Sequence, residues 1–439
     1  MKLKKFLFLA LVLQSLSGFA QFKSVDYNNY SAALKVWYGV ASPNKVGTVY
    51  KSNILSNSFA IYFDDYFKKQ SKWVLAKKIL YSGSNPSFKR IERVQMSQAP
   101  YNDKVIGTYN HLWIYQKADP AKRLLLIQSG TSLGAYYNRS DGKSLKMANT
   151  YLEEIEKDLL STTPYRGRVL EFAKNKISFW QGVDSLNVDW NKFIFNSDEK
   201  IQMQQTIDGF LNNYGSADWE KYKLPKNRGV LLYGPPGTGK SFVAKILASN
   251  VMKNRYKNKV TYIHVQARHL SYSVYVRQLY DAARILSPSV VFIEDVDLIA
   301  GTDRTDRADV KNELMQQLSG VESLKGVITI ATTNLAEKID PALKRSKRLG
   351  FHHLVGLPSY DSRVDLFKLY TKKYLVQDLD YGRLSSKTEG KTGADIKEIV
   401  QLAVEKSIYD GEVDRGTKNV LLYQRNMELA LKGKNKWKN

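Results

Sequence analysis

The sequence predicts an α/β protein with a mostly parallel sheet at its centre, a helical domain after it and a mixed α/β domain before it. Three observations predict this. Between about residues 229 and 331, short apolar runs alternate with helical stretches, the pattern of parallel strands joined by helices. A glycine-rich turn, Gly234-Pro235-Pro236-Gly237-Thr238-Gly239, connects the first of those runs to the first of those helices. From about Ser359 onward the apolar spacing is helical throughout.

Composition narrows the classes. A chain of 439 residues exceeds one typical core, so several domains are expected. There is no cysteine, which excludes disulfides and thiolate metal sites, and five histidines disfavour a zinc enzyme. The formal net charge of +25 fits polyanionic partners, nucleic acid or an anionic membrane face. It fits lysines that simply wet the surface as well, and no nucleic-acid recognition motif accompanies it.

At the N-terminus, Lys2, Lys4 and Lys5 precede the apolar stretch Phe6 to Leu13, and Gly18-Phe19-Ala20 has the form of a cleavage site before Gln21. Together these resemble a secretory signal peptide. The stretch is shorter than the roughly 20 apolar residues of a membrane span. Residues 1–20 therefore read as a cleaved signal, a membrane-touching anchor or a helix packed in protein.

Residues 21–190 carry no catalytic motif and read as the mixed α/β domain. Strands are expected at 77–81, 111–115 and 123–127, with turns at Ser82-Gly83, Asp119-Pro120 and Ser129-Gly130. A helix is expected over Met147 to Leu160, with Leu152, Ile155 and Leu159 on one side. The central domain, 191–358, opens with a helix over Lys200 to Tyr214. Its strands fall at 229–233, 260–265, 290–293 and 326–331, with helices at 242–249, 276–286 and 309–318. Residues 359–431 form the helical domain, through 363–374, 393–409 and a stretch around 420–431, and 432–439 is a basic tail.

The chemistry sits in the central domain. Gly234 to Ser241, between an apolar strand and a helix, is a Walker A pattern. Its glycines let backbone N–H groups turn toward phosphate oxygens, and the helix adds the positive end of its dipole. Lys240 is expected on the β- and γ-phosphates and Ser241 on Mg²⁺. Gly234, Pro235, Pro236, Gly237, Thr238, Gly239 and the following Phe242 complete the expected ATP contacts. The apolar strand Val290 to Ile293 ends in Glu294 and Asp295, about fifty residues on, where a Walker B strand falls. Glu294 is expected to hold Mg²⁺ through water, and Asp295 to deprotonate the attacking water. Asn334, at the tip of the strand Thr329 to Thr333, is placed to orient that water. Arg345 and Arg348 read in two ways. On a helix they share one face and reach a neighbouring subunit's γ-phosphate; otherwise they are a solvated basic run.

These features, in this order, resemble the AAA+ ATPases, and the AAA clade in particular, over about residues 195–415. Gly393-Ala394-Asp395 looks like that clade's sensor-2 motif, in which small residues, here Gly393 and Ala394, pack near the nucleotide. The resemblance implies a P-loop NTPase core with a C-terminal helical lid. It implies ATP hydrolysis with Mg²⁺ in a homo-oligomeric ring, usually a hexamer, with arginines acting on the neighbour's nucleotide. Leu186-Asn187-Val188, Trp219-Glu220-Lys221-Tyr222 and Arg228 to Tyr233 look further like the mitochondrial respiratory-chain assembly chaperones. The order Glu294 then Asp295 is theirs too, whereas most of the clade has aspartate first. That subfamily implies an α/β domain ahead of the ATPase; its eukaryotic members add a membrane anchor before that domain, form heptamers and move folded protein across a membrane. Gly393-Ala394-Asp395 is less typical of it.

Three departures stand out. The carboxylate order shortens the base at Asp295. Lys347 replaces the glycine usual between the two arginines. The segment between His269-Leu270-Ser271 and Val276-Arg277 is short for a pore loop, so Tyr272 and Tyr275 read equally as pore residues or as buried tyrosines. The expected function is an ATP-driven motor acting on protein, with a nucleic-acid-associated ATPase as the alternative. ATP supply leads to an expected place in the cytoplasm, with Phe6 to Leu13 either packed in protein or touching a membrane, against the signal-like ending at Ala20.

Overall fold

The computed structural model describes the backbone of seven strands between residues 46 and 138, part of a helix between 143 and 153, and residues 163 and 165–435 apart from 174–175, 181–186, 303–304, 320–323 and 415. They belong to two compact units, residues 1–164 and 165–439. Residues 1–20, and the turns Ser82-Gly83 and Asp119-Pro120, lie outside the described residues.

The strands of the first unit are β1 (Val46–Ser52), β2 (Trp73–Leu80), β3 (Ser97–Tyr101), β4 (Lys104–Thr108), β5 (His111–Lys117), β6 (Arg123–Ser129) and β7 (Ser132–Asn138). Five form an antiparallel sheet in the order β1-β7-β6-β5-β2, and β3 pairs with β4. The three strands expected from sequence are β2, β5 and β6. Ser129 pairs with Ser132, and Gly130 of the expected turn lies outside the described residues. The helix expected over Met147 to Leu160 is described only as far as Glu153.

The second unit is built on β8 (Val169–Ala173), β9 (Lys176–Phe179), β10 (Asn227–Tyr233), β11 (Thr261–Gln266), β12 (Ser289–Glu294), β13 (Val327–Thr333) and β14 (Phe351–Leu354). Their order is β14-β10-β13-β12-β11-β8-β9. Every pairing is parallel except β8 with β9. The sequence reading opens this domain at 191, but its sheet takes in residues 169–179 as well. Val169, Leu170 and Phe172 are buried there, in a run too short to separate from its surroundings by pattern. The interior strand β13 is buried at every position, its threonines Thr329, Thr332 and Thr333 included, as expected of a parallel strand covered on both faces.

Helices α1 (Ser197–Asn213) and α2 (Lys240–Met252) contribute to one core with β10 and β12, through Ile207, Phe210, Val243 and Leu247 against Val230, Leu232 and Phe292. Trp219 closes this core edge-on to Phe210 and donates its indole N–H to the Pro225 carbonyl at 3.0 Å. Helices α3 (Ser273–Ile285) and α4 (Ala308–Ser319) pack together. The lid is α5 (Tyr360–Thr371), α6 (Gly393–Tyr409) and α7 (Gln424–Asn435), around Phe367, Leu384, Ile396, Ile399, Ala403 and Met427. The expected tail at 432 therefore begins as the last turn of α7. A capping box opens α6: Asp395 N–H donates to Thr392 Oγ1 at 3.2 Å, and Thr392 N–H donates to Asp395 Oδ2 at 2.8 Å.

Candidate active site

At the carboxyl end of β10 lies a cleft of about 430 Å³, where ligands of open parallel sheets bind. Pro236 to Phe242 line it, and α2 begins within it. The N-cap of α2 is Gly239, at φ 114°, and no side chain accepts from its first turn. Its first N–H groups are thus left for an anion. Gly237 has φ 79°, and a Cβ there would stand 2.9 Å from Thr392 Oγ1; one on Gly239 would stand 2.8 Å from the Phe193 ring. The turn thus requires glycine for both conformation and space. Lys240 Nζ donates to the carbonyls of Gly234 at 2.6 Å and Pro235 at 2.7 Å, and Thr238 Oγ1 donates to Pro235 at 2.9 Å. Burial pushes the Lys240 ammonium below its ordinary value, while Asp295 and Asp297 oppose the shift.

Both carboxylates stand at the end of β12. Glu294 is held below the usual carboxylate range, first by a hydrogen bond from His264, then by one from Ser241, against the effect of burial. Asp295 is pushed up, by burial and then by the charges of Asp297 and Glu294. Its backbone is left-handed at φ 54°, a conformation non-glycine residues enter at a cost, and its N–H donates to Thr332 Oγ1 at 3.2 Å. The strand's sharp exit turns Asp295 into the cleft with Thr332 and Asn334. Asp297 is instead turned to Thr333, whose hydroxyl donates to it at 2.7 Å.

The lid closes the cleft. Ala394 N–H donates to the Gly237 carbonyl at 3.1 Å, so Gly393 and Ala394 abut the glycine turn. Residues that pattern reading missed complete the walls. Phe193 stacks on Phe195 and Phe242, with centroids 5.4 and 6.0 Å away, while Ile194 packs against the lid core. Leu366, Tyr370 and Lys397 come from the lid. The consecutive apolar residues Phe193-Ile194-Phe195 ahead of α1 were the signal for the first group; Leu366, Tyr370 and Lys397 carry none.

The two arginines separate. Residues 340–348 form turns rather than the conditional helix. Arg348 is tied within its own chain, donating to Ser319 Oγ and to the Ala342 carbonyl, both at 2.8 Å. Arg345 is exposed. Lys347 has φ 73°, the conformation that a glycine would adopt without strain. Gly229 on β10 faces this turn, and a Cβ there would overlap the Arg348 carbonyl. Tyr272 is 60% exposed and meets Tyr275 edge-on at 5.2 Å, so the buried reading fails for Tyr272.

The cleft suits a nucleoside triphosphate with Mg²⁺. Its glycine turn offers N–H donors, and a hydroxyl and a carboxylate, Ser241 and Glu294, meet beside it as the hard oxygen donors Mg²⁺ takes. Among the described residues, no three His, Cys, Asp or Glu form a metal cage. Mg²⁺ needs none, since phosphates and water fill most of its shell.

Comparison with known proteins agrees with this geometry. Residues 230–357 match the family described as "ATPase family associated with various cellular activities (AAA)". The chain is 34% identical over 227 residues to the cell division cycle protein 48 homolog of Archaeoglobus fulgidus, covering 47% of this chain and 30% of that one. It is 36% identical over 199 residues to the proteasome-activating nucleotidase of Saccharolobus solfataricus, covering 42% and 49%. It is 30% identical over 306 residues to the ATPase family gene 2 protein of Saccharomyces cerevisiae, covering 67% and 36%. The chain spans less than half of each of these relatives.

Proposed function

We propose that this chain, related through its ATPase region to the AAA-type ATPases, is an ATP-hydrolysing motor that works as a homo-oligomeric ring on protein. The observation that carries the reading is the meeting of the glycine turn, Asp295, Asn334 and the lid helix α6 in one cleft. The backbone of Gly237 to Lys240 and the Lys240 ammonium would hold the phosphates, and Phe193, Leu366 and Tyr370 offer an apolar wall to the base. Ser241 and Glu294 would hold Mg²⁺, which when bound neutralises charge on the transferring phosphoryl group. Asp295 takes the proton of the attacking water, and its raised affinity for that proton suits a base. Asn334 orients the water. Arg345, exposed and near enough to Asp340 for their charges to interact, lacks the two hydrogen bonds that hold Arg348 and is assigned to the neighbour's γ-phosphate.

Protein as the substrate is supported by similarity to a proteasome-activating nucleotidase and by exposed Tyr272 at the head of α3, which we assign to a central pore. The Glu294-Asp295 order supports placement near the respiratory-chain assembly chaperones, in a ring of six or seven subunits. We assign the ATPase unit to the cytoplasm, where ATP is supplied. Among the described residues, no helix is long and apolar enough to cross a membrane. The test is turnover with added protein substrates against added DNA or RNA. Stimulation by unfolded or partner protein, with indifference to nucleic acid, is expected. Stimulation by nucleic acid that weakens steeply with salt overturns the protein reading and selects the nucleic-acid ATPase.

A further inference from the structure

His264 is the one histidine of β11, and it is 5% exposed. Its ring is fixed from both sides. Trp180 stacks on it at 4.5 Å and an interplanar angle of 2°, and Phe292 lies at 6.3 Å and 20°. His264 and Glu294 stand near the ends of adjacent parallel strands, and Nε2 is 3.5 Å from Glu294 Oε2. Its other nitrogen, Nδ1, is buried without a partner. Orphaned buried N–H groups are rarer than under-used acceptors, so the proton belongs on Nε2 and Nδ1 is bare. Nε2 is then the donor that faces one carboxylate oxygen.

The order of the carboxylates gives that donor a purpose. An aspartate at 294 would be shorter by one methylene and stiffer. Glutamate has an extra rotatable bond, and a ligand that swings holds a metal poorly unless its outer partners fix it. His264 Nε2 stands 3.5 Å from Glu294 Oε2, and hydrogen bonding from His264 and Ser241 holds the Glu294 carboxyl below its ordinary range. Ser241 is itself assigned to the metal, which leaves His264 as the partner with no other task.

We propose that His264 is a positioning residue, a fixed N–H donor that orients Glu294 toward Mg²⁺ and offsets the freedom that glutamate brings to this position. This rests on the reading of the cleft as an Mg²⁺–ATP site. The aromatic stack holds the ring, the ring holds the carboxylate, and the chemistry stays with Glu294, Ser241 and Asp295. The stack also explains the extra strands, since Trp180 follows β9 directly and reaches His264 across the sheet's extended edge.

The experiment measures Mg²⁺ affinity through binding rather than turnover. A fluorescent ADP analogue is titrated with Mg²⁺ on the unmutated full chain, on His264→Phe, His264→Leu and His264→Gln, and on each of these in a Glu294→Asp background. Phenylalanine keeps the stack without the donor, leucine loses both, and glutamine restores an amide donor. Half-saturating Mg²⁺ is expected to rise about tenfold or more in the Phe and Leu variants, the lower end of what outer-shell partners contribute. Mg²⁺-free nucleotide affinity should be unchanged, and the Gln variant should recover to within about threefold of the unmutated value, given that span. In the Glu294→Asp background the same changes should have little further effect. A Mg²⁺ dependence unmoved in whichever of the Phe and Leu variants keeps its melting temperature overturns the proposal, as does an equal loss with glutamine. Nitrogen NMR of the unmutated protein stands apart from every variant: an Nε2–H tautomer is expected, and Nδ1–H overturns the proposal. Failure of the unmutated chain to bind the nucleotide at all would sink the ATP-site reading itself.

Discussion

Asp295 concentrates two costs at one residue. Its backbone is left-handed, and its carboxyl is held above the ordinary range by burial and by Asp297 and Glu294. As a base it acts only when ionised, so turnover should fall on acidification at a higher pH than an ordinary aspartate would give. For stability the sign is opposite to the usual carboxylate. The folded chain holds this proton more tightly than the unfolded chain, so the contribution is full below the unfolded value and is lost as pH rises through the folded value. Asp295→Asn removes the charge, and asparagine tolerates left-handed backbone. The variant should bind ATP, hydrolyse it about 10²–10⁴-fold more slowly, and melt above the unmutated protein at neutral pH. Undiminished turnover would move the base elsewhere. Lys347 is strained in the same way at φ 73° without a catalytic reason. Relief of about 1–2 kcal/mol is partly offset by the freedom glycine adds to the unfolded chain, so Lys347→Gly should gain up to about 1 kcal/mol in denaturant unfolding. A loss there would show the lysine side chain to be needed.

At the level of elements, the glycine turn depends on what packs over it. Phe193 crosses Gly239, and the capped start of α6 crosses Gly237. Gly239→Ala adds a methyl against Phe193 at a φ that alanine resists, a cost of about 1–3 kcal/mol. Transmitted to the phosphate cradle, that should weaken nucleotide binding by about 10–100-fold while the lid and sheet remain folded, as titration with a fluorescent nucleotide would show. Unchanged affinity would mean the loop is not built for phosphate. The strand-turn-helix, the Walker B strand and α6 were legible in sequence because each repeats a pattern over many residues. β8, β9 and β14 were not. They are short strands at the two margins of the sheet, and their membership comes from pairing: β8 with β11, β9 with β8, and β14 with β10. Tyr370 and Lys397 were also hidden, since only the folded lid brings them to the cleft. His264 has no motif at all; a histidine within an apolar strand reads as core until Glu294 is seen beside it. The split between Arg345 and Arg348 needed the turn geometry, which sequence left open between a helix and a solvated run.

At the scale of the whole molecule, the account requires subunits that share sites. Arg345→Ala should bind nucleotide nearly normally and turn it over poorly, because the arginine serves a neighbour. Mixing it with Lys240→Ala, which supplies an intact arginine beside an empty cradle, should restore part of the turnover at mixed interfaces. Absence of rescue in verified rings would count against sharing. The N-terminus bears on where this happens. Mass determination of the mature first residue should find Met1 kept with the cytoplasmic or membrane fraction, and a start at Gln21 outside the cytoplasm would contradict that. The most direct test of the central claim is ATP turnover with Mg²⁺ in the purified chain, measured beside Lys240→Ala under the same conditions. The account predicts steady hydrolysis in the unmutated protein, and loss of most triphosphate binding together with turnover in the variant. Equal binding and turnover in the two proteins would contradict it.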